Sequence, residues 1–255
     1  MRSMSPADRV ILRYAIPRTR PDWALSEEPV PESQPHDQTL DLLKAILLAW
    51  IARAGRSAHV ARNLAIRWEA SQPNIGTDPD LCVLDPKPSD ADHLESLCTW
   101  RPGHKAPKLA IEVVSSKAKK DYTTAPEKCA AAGIEELWVF DPHLLGPRMG
   151  GGPHRLQLWR REDDAFIRVF AGEGPVFSPT VGGFLFAVHE GQRLRIAEDR
   201  EGTRWWPTPE ENERAEKERE RAEKERERAE KERERAEKEA ALVRIAELEA
   251  RLAKG

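Results

Sequence analysis

The sequence predicts an α/β protein, a mixed sheet flanked by helices, with a long charged helix at its C-terminal end. Three observations carry that reading. Short apolar runs bounded by turn residues alternate with segments of helical periodicity. One of those runs, Lys108 to Val114 (KLAIEVV), is nearly continuous and β-branched, as expected of a strand buried on both faces. From Glu213 the unit ERAEKER repeats through 219, 226 and 233 before degrading to ERAEKEA.

The charged share is 33% and the hydrophobic share 39%, but the excess charge lies after Pro209, so the region before it can bury an ordinary core. A net charge of −3 argues against nucleic-acid binding by bulk electrostatics, while a small basic cleft is compatible with it. Cys82, Cys98 and Cys129 are widely spaced, with no CxxC or CxxH, which points away from a disulfide framework or a zinc knuckle. The longest apolar run, Ala45 to Ala52, is too short to span a bilayer, and no secretory leader pattern opens the chain. The expected address is cytoplasmic.

Prolines at 6, 17, 21, 29, 31 and 35 make residues 1–35 an extended or disordered arm in this reading. From His36, Leu40, Leu43, Ile46, Leu47, Trp50 and Ile51 recur at helical spacing, and Gly55 is the stop. Apolar runs follow at Ala58 to Trp68 and Leu81 to Leu84, then a long polar loop over 85–107. Thr124-Ala-Pro-Glu127 has the form of a capping box, predicting a short helix over about 125–132 that ends at Gly133. Strands are expected at Leu137 to Phe140, Leu156 to Arg160, Ala165 to Phe170, Phe184 to Val188 and Arg193 to Ile196. A Gly-rich loop fills 146–153.

The globular domain is thus expected over 36–200, a linker over 201–212 and the charged helix over 213–255. Glu-to-Lys pairs at i, i+4 support that helix. Each repeat offers one apolar residue, which is thin for a coiled coil. Leu242, Val243, Ile245, Leu248 and Leu252 do better and offer a short seam for a homo-oligomer.

Two carboxylates stand out. Asp80 opens the run LCVL, and Glu112 sits inside the apolar strand, where an ionised side chain is costly unless paired or bound to a cation. Two such groups on adjacent strand ends suit Mg²⁺, which prefers hard oxygen ligands and keeps several waters. The ion would activate water against a phosphodiester, with a nearby lysine such as Lys128 assisting. Singly, each has a plainer reading: a turn aspartate, a glutamate in a structural ion pair, an exposed helix lysine.

In order, Pro79-Asp80-Leu-Cys-Val-Leu, Lys108-Leu-Ala-Ile-Glu112-Val-Val-Ser115-Ser, Lys120-Asp121 and Ala-Ala-Ala-Gly133-Ile-Glu-Glu-Leu-Trp138-Val-Phe-Asp141-Pro resemble the Uma-two family of restriction endonucleases, within the PD-(D/E)XK nuclease superfamily. The motifs span about a quarter of the chain, and the layout fits over roughly 36–200. The resemblance implies a restriction-endonuclease-like fold, DNA as substrate and Mg²⁺ (or Mn²⁺) as cofactor. It makes Asp80, Glu112 and the main-chain carbonyl of Val113 the metal ligands. The sequence departs from the pattern in its lysine. The superfamily position two residues after the glutamate is Val114, and the family's alternative on the next helix is Ala125. Lys128, three residues on and near the same helical face, is the substitute, and Cys129 stands where the family has tyrosine. These departures open a second reading, a catalytically weakened nuclease fold serving as a binding or scaffold module.

Overall fold

The computed structural model describes residues 10–13, 19–25, 34–115, 118–148 and 152–252. The chain divides into two units, Met1–Trp206 and Pro207–Gly255.

Among its described residues the first unit carries twelve strands and two α-helices. The strands are β1 (Ile11–Arg13), β2 (His59–Arg62), β3 (Ala65–Arg67), β4 (Leu81–Leu84), β5 (Ser96–Cys98) and β6 (Leu109–Val113). They continue as β7 (Glu136–Phe140), β8 (Leu156–Glu162), β9 (Ala165–Gly172), β10 (Val176–Ser178), β11 (Gly183–Val188) and β12 (Arg193–Ala197). Seven of them form one mixed sheet in the order β1-β9-β8-β7-β6-β4-β2, in which only β6 and β7 run parallel. A three-stranded sheet, β10-β11-β12, and a parallel pair, β3 with β5, complete it.

Alternation along the central strands splits the core into two layers. Leu109, Ile111 and Val113 of β6, with Trp138 and Phe140 of β7, pack with helix α1 (Gln34–Arg53) and with Leu185, Leu194 and Ile196 of the small sheet. The α1 stripe is Leu40, Leu43, Ile46, Leu47, Trp50 and Ile51, the i, i+3, i+4 pattern of a helix with one apolar face. Gly55, at φ +60°, ends it in a Schellman arrangement, with Arg56 N–H bonded to Ile51 O and Gly55 N–H to Ala52 O. On the other face, Ala110, Val114, Leu137 and Val139 pack with helix α2 (Ala125–Ala132), β3, β5 and Trp23.

Several expectations need correction. Within the segment read as an arm, Ile11–Arg13 pair antiparallel with β9, and Trp23 is buried edge-on against Trp68. Three-residue strands leave too little periodicity to be seen beneath the prolines; residues 1–9, 14–18 and 26–33 lie outside the described ones. The loop over 85–107 contains β5, held beside β3, and is pinned by buried His104. Its Nδ1 accepts from Cys98 N–H at 3.2 Å and its Nε2 meets Asp90 at 3.2 Å. Ala58 to Trp68 is not one run: Asn63, at φ +50°, breaks it into β2 and β3.

Thr124 is not a cap. It is already helical (φ −76°, ψ −40°) and makes no side-chain capping bond, because a wide π-type turn over Lys120–Thr124 leads straight into α2. Ala125 N–H bonds back five residues to Lys120 O. Pro126 follows at once, and the opened turn accommodates a residue that would otherwise crowd the carbonyl four positions back.

The expected linker is also structured. Trp206 is buried and stacks on Trp50, with ring centroids 6.0 Å apart and planes 11° from parallel. Its N–H bonds to Ile196 O.

In the second unit, helix α3 runs Pro209–Leu252, starting four residues before the expected 213. Thr208 and Glu211 cap it reciprocally: Thr208 N–H donates to Glu211 Oε2 at 2.8 Å, and Glu211 N–H to Thr208 Oγ1 at 3.2 Å. Glu213–Lys217 and Glu227–Lys231 close at 2.5 and 2.6 Å. Ile245 and Leu248 of the expected seam are exposed, while the side chains of Leu242, Val243 and Leu252 lie outside the described ones. No helix among the described residues is long and apolar enough to cross a membrane.

Candidate active site

The site forms where β4 and β6 meet α2. The antiparallel register of the two strands runs Leu81↔Ile111, Cys82↔Ala110 and Val83↔Leu109. Continued by one residue, it sets Asp80 opposite Glu112. Alternation turns both toward α2, since their strand neighbours Cys82 and Ala110 belong to that core layer. Asp80 Oδ2 accepts the N–H of Val113 at 2.7 Å, which fixes the aspartate beside the glutamate. Val113 thus supplies a backbone donor here.

Glu112 is only 3% exposed, and its carboxylate receives no hydrogen bond or ion pair from the described residues. Burial first, then the Asp80 and Asp121 carboxylates, raise it well above the ordinary carboxylate range. Asp121 comes from the wide turn. It is buried, takes the N–H of Ser115 at 3.4 Å, and is pushed up to about 7 by burial and by Asp80. His36, at the start of α1, brings Nε2 to 3.6 Å from Asp80 Oδ2.

Two lysines share this field. Burial works against the charge of Lys120, yet Asp78, Glu112, Asp121 and Asp80 together hold it above its ordinary value. Its Nζ lies 3.8 Å from Asp78 Oδ1. Lys128, on α2, is held below its ordinary value by burial, although Asp78 and Glu112 pull the other way, and it forms no direct ion pair among the described residues. Val114 and Ala125, the two positions that lack the expected lysine, are both buried.

No trio of His, Cys, Asp and Glu among the described residues is arranged as a ready-made metal cage. Mg²⁺ does not need one, since one or two carboxylates and several waters serve it. Asp80 and Glu112 fit that demand. They are hard oxygen donors on one face, they crowd each other electrostatically, and Glu112 takes no hydrogen bond or ion pair from the described residues. Sequence reading singled out Asp80, Glu112, Val113 and Lys128. It gave no site role to His36, quoted Asp121 only as part of the family motif, and set Lys120 behind Lys128. Asp121 looks like an ordinary surface residue until the turn buries it, while Lys120 beside it stays exposed.

The family described as "Putative restriction endonuclease", Uma2, matches residues 18–167, more than half of the chain. The chain belongs to the Uma2 family. The Uma2 match begins inside the proline-rich segment and so takes in Trp23, α1 and both carboxylates. A crystal structure of a "putative nuclease belonging to DUF820" from Anabaena variabilis ATCC 29413 aligns at 16% identity and a TM-score of 0.42. The alignment covers 60% of this chain and 76% of that one. No curated protein is significantly similar to the chain.

Proposed function

We propose that this Uma2 protein is a Mg²⁺- or Mn²⁺-dependent endonuclease that hydrolyses DNA phosphodiester bonds. The observation that carries the reading is the pairing of Asp80 with Glu112 across β4 and β6, inside a field shared by Lys120 and Lys128. Asp80 and Glu112 would hold the ion, with the Val113 carbonyl the third ligand that the family resemblance implies. When bound, the ion supplies Lewis acidity beside the scissile phosphate and lowers the cost of a hydroxide-like nucleophile.

The remaining work belongs to the chain. The Val113 N–H keeps the Asp80 carboxylate from rotating. Lys120 stays cationic at neutral pH because four carboxylates surround it, so it opposes the charge that builds on the phosphate oxygens in the transition state. Lys128 is the more acidic ammonium, and we assign it to proton donation toward the departing alkoxide. A modest net charge with local lysines matches a cleft that grips one phosphate rather than a broad nucleic-acid surface.

The test is cleavage of plasmid DNA with Mg²⁺, with Mn²⁺ and with chelator, using Glu112→Ala as the control. Metal-dependent nicking that the variant abolishes is expected. A second reading rests on Val114 and Ala125, core residues where the superfamily and the family place a lysine. A folded wild type that cleaves with neither ion would establish that reading, a binding or scaffold module, in place of the enzyme.

A further inference from the structure

Asp141 is fully buried at the end of β7, the strand parallel to β6, and its carboxylate gathers four donors. Oδ1 accepts Leu145 N–H at 3.0 Å and His143 N–H at 3.3 Å; Oδ2 accepts Gly146 N–H at 2.8 Å and the Tyr122 hydroxyl at 2.8 Å. The first three bonds close the turn after β7. The fourth reaches out of it, to the wide helical turn.

Tyr122 follows Lys120 and Asp121 directly. Its hydroxyl also lies 3.0 Å from His154 N and 2.9 Å from His154 O, so the ring tip is held from both limbs of the β7–β8 connection. The socket is tight. A Cβ added to Gly146 would come within 2.1 Å of the ring, so only glycine leaves room for it. A turn bonded five residues back is wider and less sharply determined than an α-helical turn, so its angle about the helix axis needs fixing from outside.

We propose that Asp141 is a positioning residue for the carboxylate site, acting through Tyr122. The bond from the Tyr122 hydroxyl to Asp141 sets the rotation of the turn, and that rotation decides where the Lys120 ammonium and the Asp121 carboxylate face Asp80 and Glu112. The sequence motif that ends β7 in Asp141-Pro142 thereby serves the site from the neighbouring strand. The catalytic consequence rests on the nuclease reading, whereas the control of the turn does not.

The experiment compares wild type with Tyr122→Phe, which keeps the ring in its socket and removes only the hydroxyl, and with Asp141→Asn and the double variant. Amide hydrogen exchange over 118–124 should quicken at least tenfold in each variant, with β6 and β7 unchanged. Steady-state cleavage should show kcat down at least tenfold with KM within twofold. The double variant should be no worse than the poorer single one, since the two residues act as a unit. Exchange over 118–124 equal to wild type in Tyr122→Phe would overturn the proposal, even in an active enzyme. So would additive losses of kcat, or a loss confined to KM. A wild type that does not cleave would remove the nuclease reading alone, and the exchange measurement would still judge the turn. Should Asp141→Asn fail to fold, Tyr122→Phe carries both measurements.

Discussion

The N–H of Val113 donates to the carboxylate of Asp80 across 2.7 Å, joining the residue beside Glu112 to the residue that opens the next strand. The bond holds two carboxyl groups face to face on one side of a buried sheet, an arrangement that costs stability once both ionise, until a cation joins them.

The cost should be visible without any activity measurement. Glu112 is raised well above its ordinary value and Asp121 to about 7, so in the folded state both hold protons that the unfolded chain releases near pH 4. Stability they favour at low pH is therefore lost as pH rises from about 4 through 7 and beyond. We expect metal-free protein to melt progressively lower over that range. Glu112→Gln should melt higher than wild type at pH 8, by about 2–4 °C for each kcal/mol regained. Mg²⁺ should raise the wild-type midpoint at pH 8 far more than at pH 5, and should leave the variant unmoved. A variant that melts lower at pH 8 would show that the glutamate is already compensated.

Cleavage should rise with pH through about 7, because Asp121 must ionise to complete the anionic set around Lys120. Asp121→Asn should flatten that limb of the pH–rate profile. An unchanged inflection in the variant would assign it to another group.

The two lysines should separate in a mutant series. Lys120→Met is expected to lower kcat by about 10²–10³-fold at every pH, the usual loss for one charge-stabilising group, and Lys128→Met by about 10²-fold with loss of the alkaline limb of the pH–rate profile, as for a general acid. Circular dichroism should show both folded. If only Lys128→Met lost activity, the assisting cation would lie on α2 and not on the wide turn.

The last residue of the first unit, Trp206, belongs to that unit's core. Trp206 stacks on Trp50 and lies under the Arg53 guanidinium, so a chain ending at residue 207 should fold, whereas one ending near Glu201 should lose the burial of a tryptophan, about 3–5 kcal/mol. A peptide over 207–255 should be substantially helical at low salt and less so at high salt, since its Glu–Lys pairs are screened. Equal melting of the two truncated chains, or a coil spectrum for the peptide, would contradict this.

What could be read from the sequence follows the reach of each signal. Leu81–Leu84, Leu109–Val113 and Glu136–Phe140 declare themselves because central strands are continuous apolar runs. α1 does so because one face is entirely buried. β1, β5 and β10 are three residues each, below the length at which alternation means anything. Asp80 and Glu112 were legible because a carboxylate at an apolar strand is conspicuous. The site roles of Asp121 and Lys120 were not, since it is the open helical turn that buries the first and carries the second beside Asp78. The Thr124 cap failed for the same reason. Local chemistry wrote a helix start, and the preceding turn continued through it.

The pairing of Ile11–Arg13 with β9 has a consequence during synthesis. β1 leaves the ribosome well before β9, which emerges only after the other strands of the seven-stranded sheet have been made. Trp50 likewise waits for Trp206. Both closures join segments remote in the chain, so they come late and slowly in folding. Until then the nascent protein carries an unclosed sheet margin and an exposed indole, the surfaces that chaperones bind. The finished fold is stapled at both ends, and a chain halted short of residue 206 lacks one of the two staples.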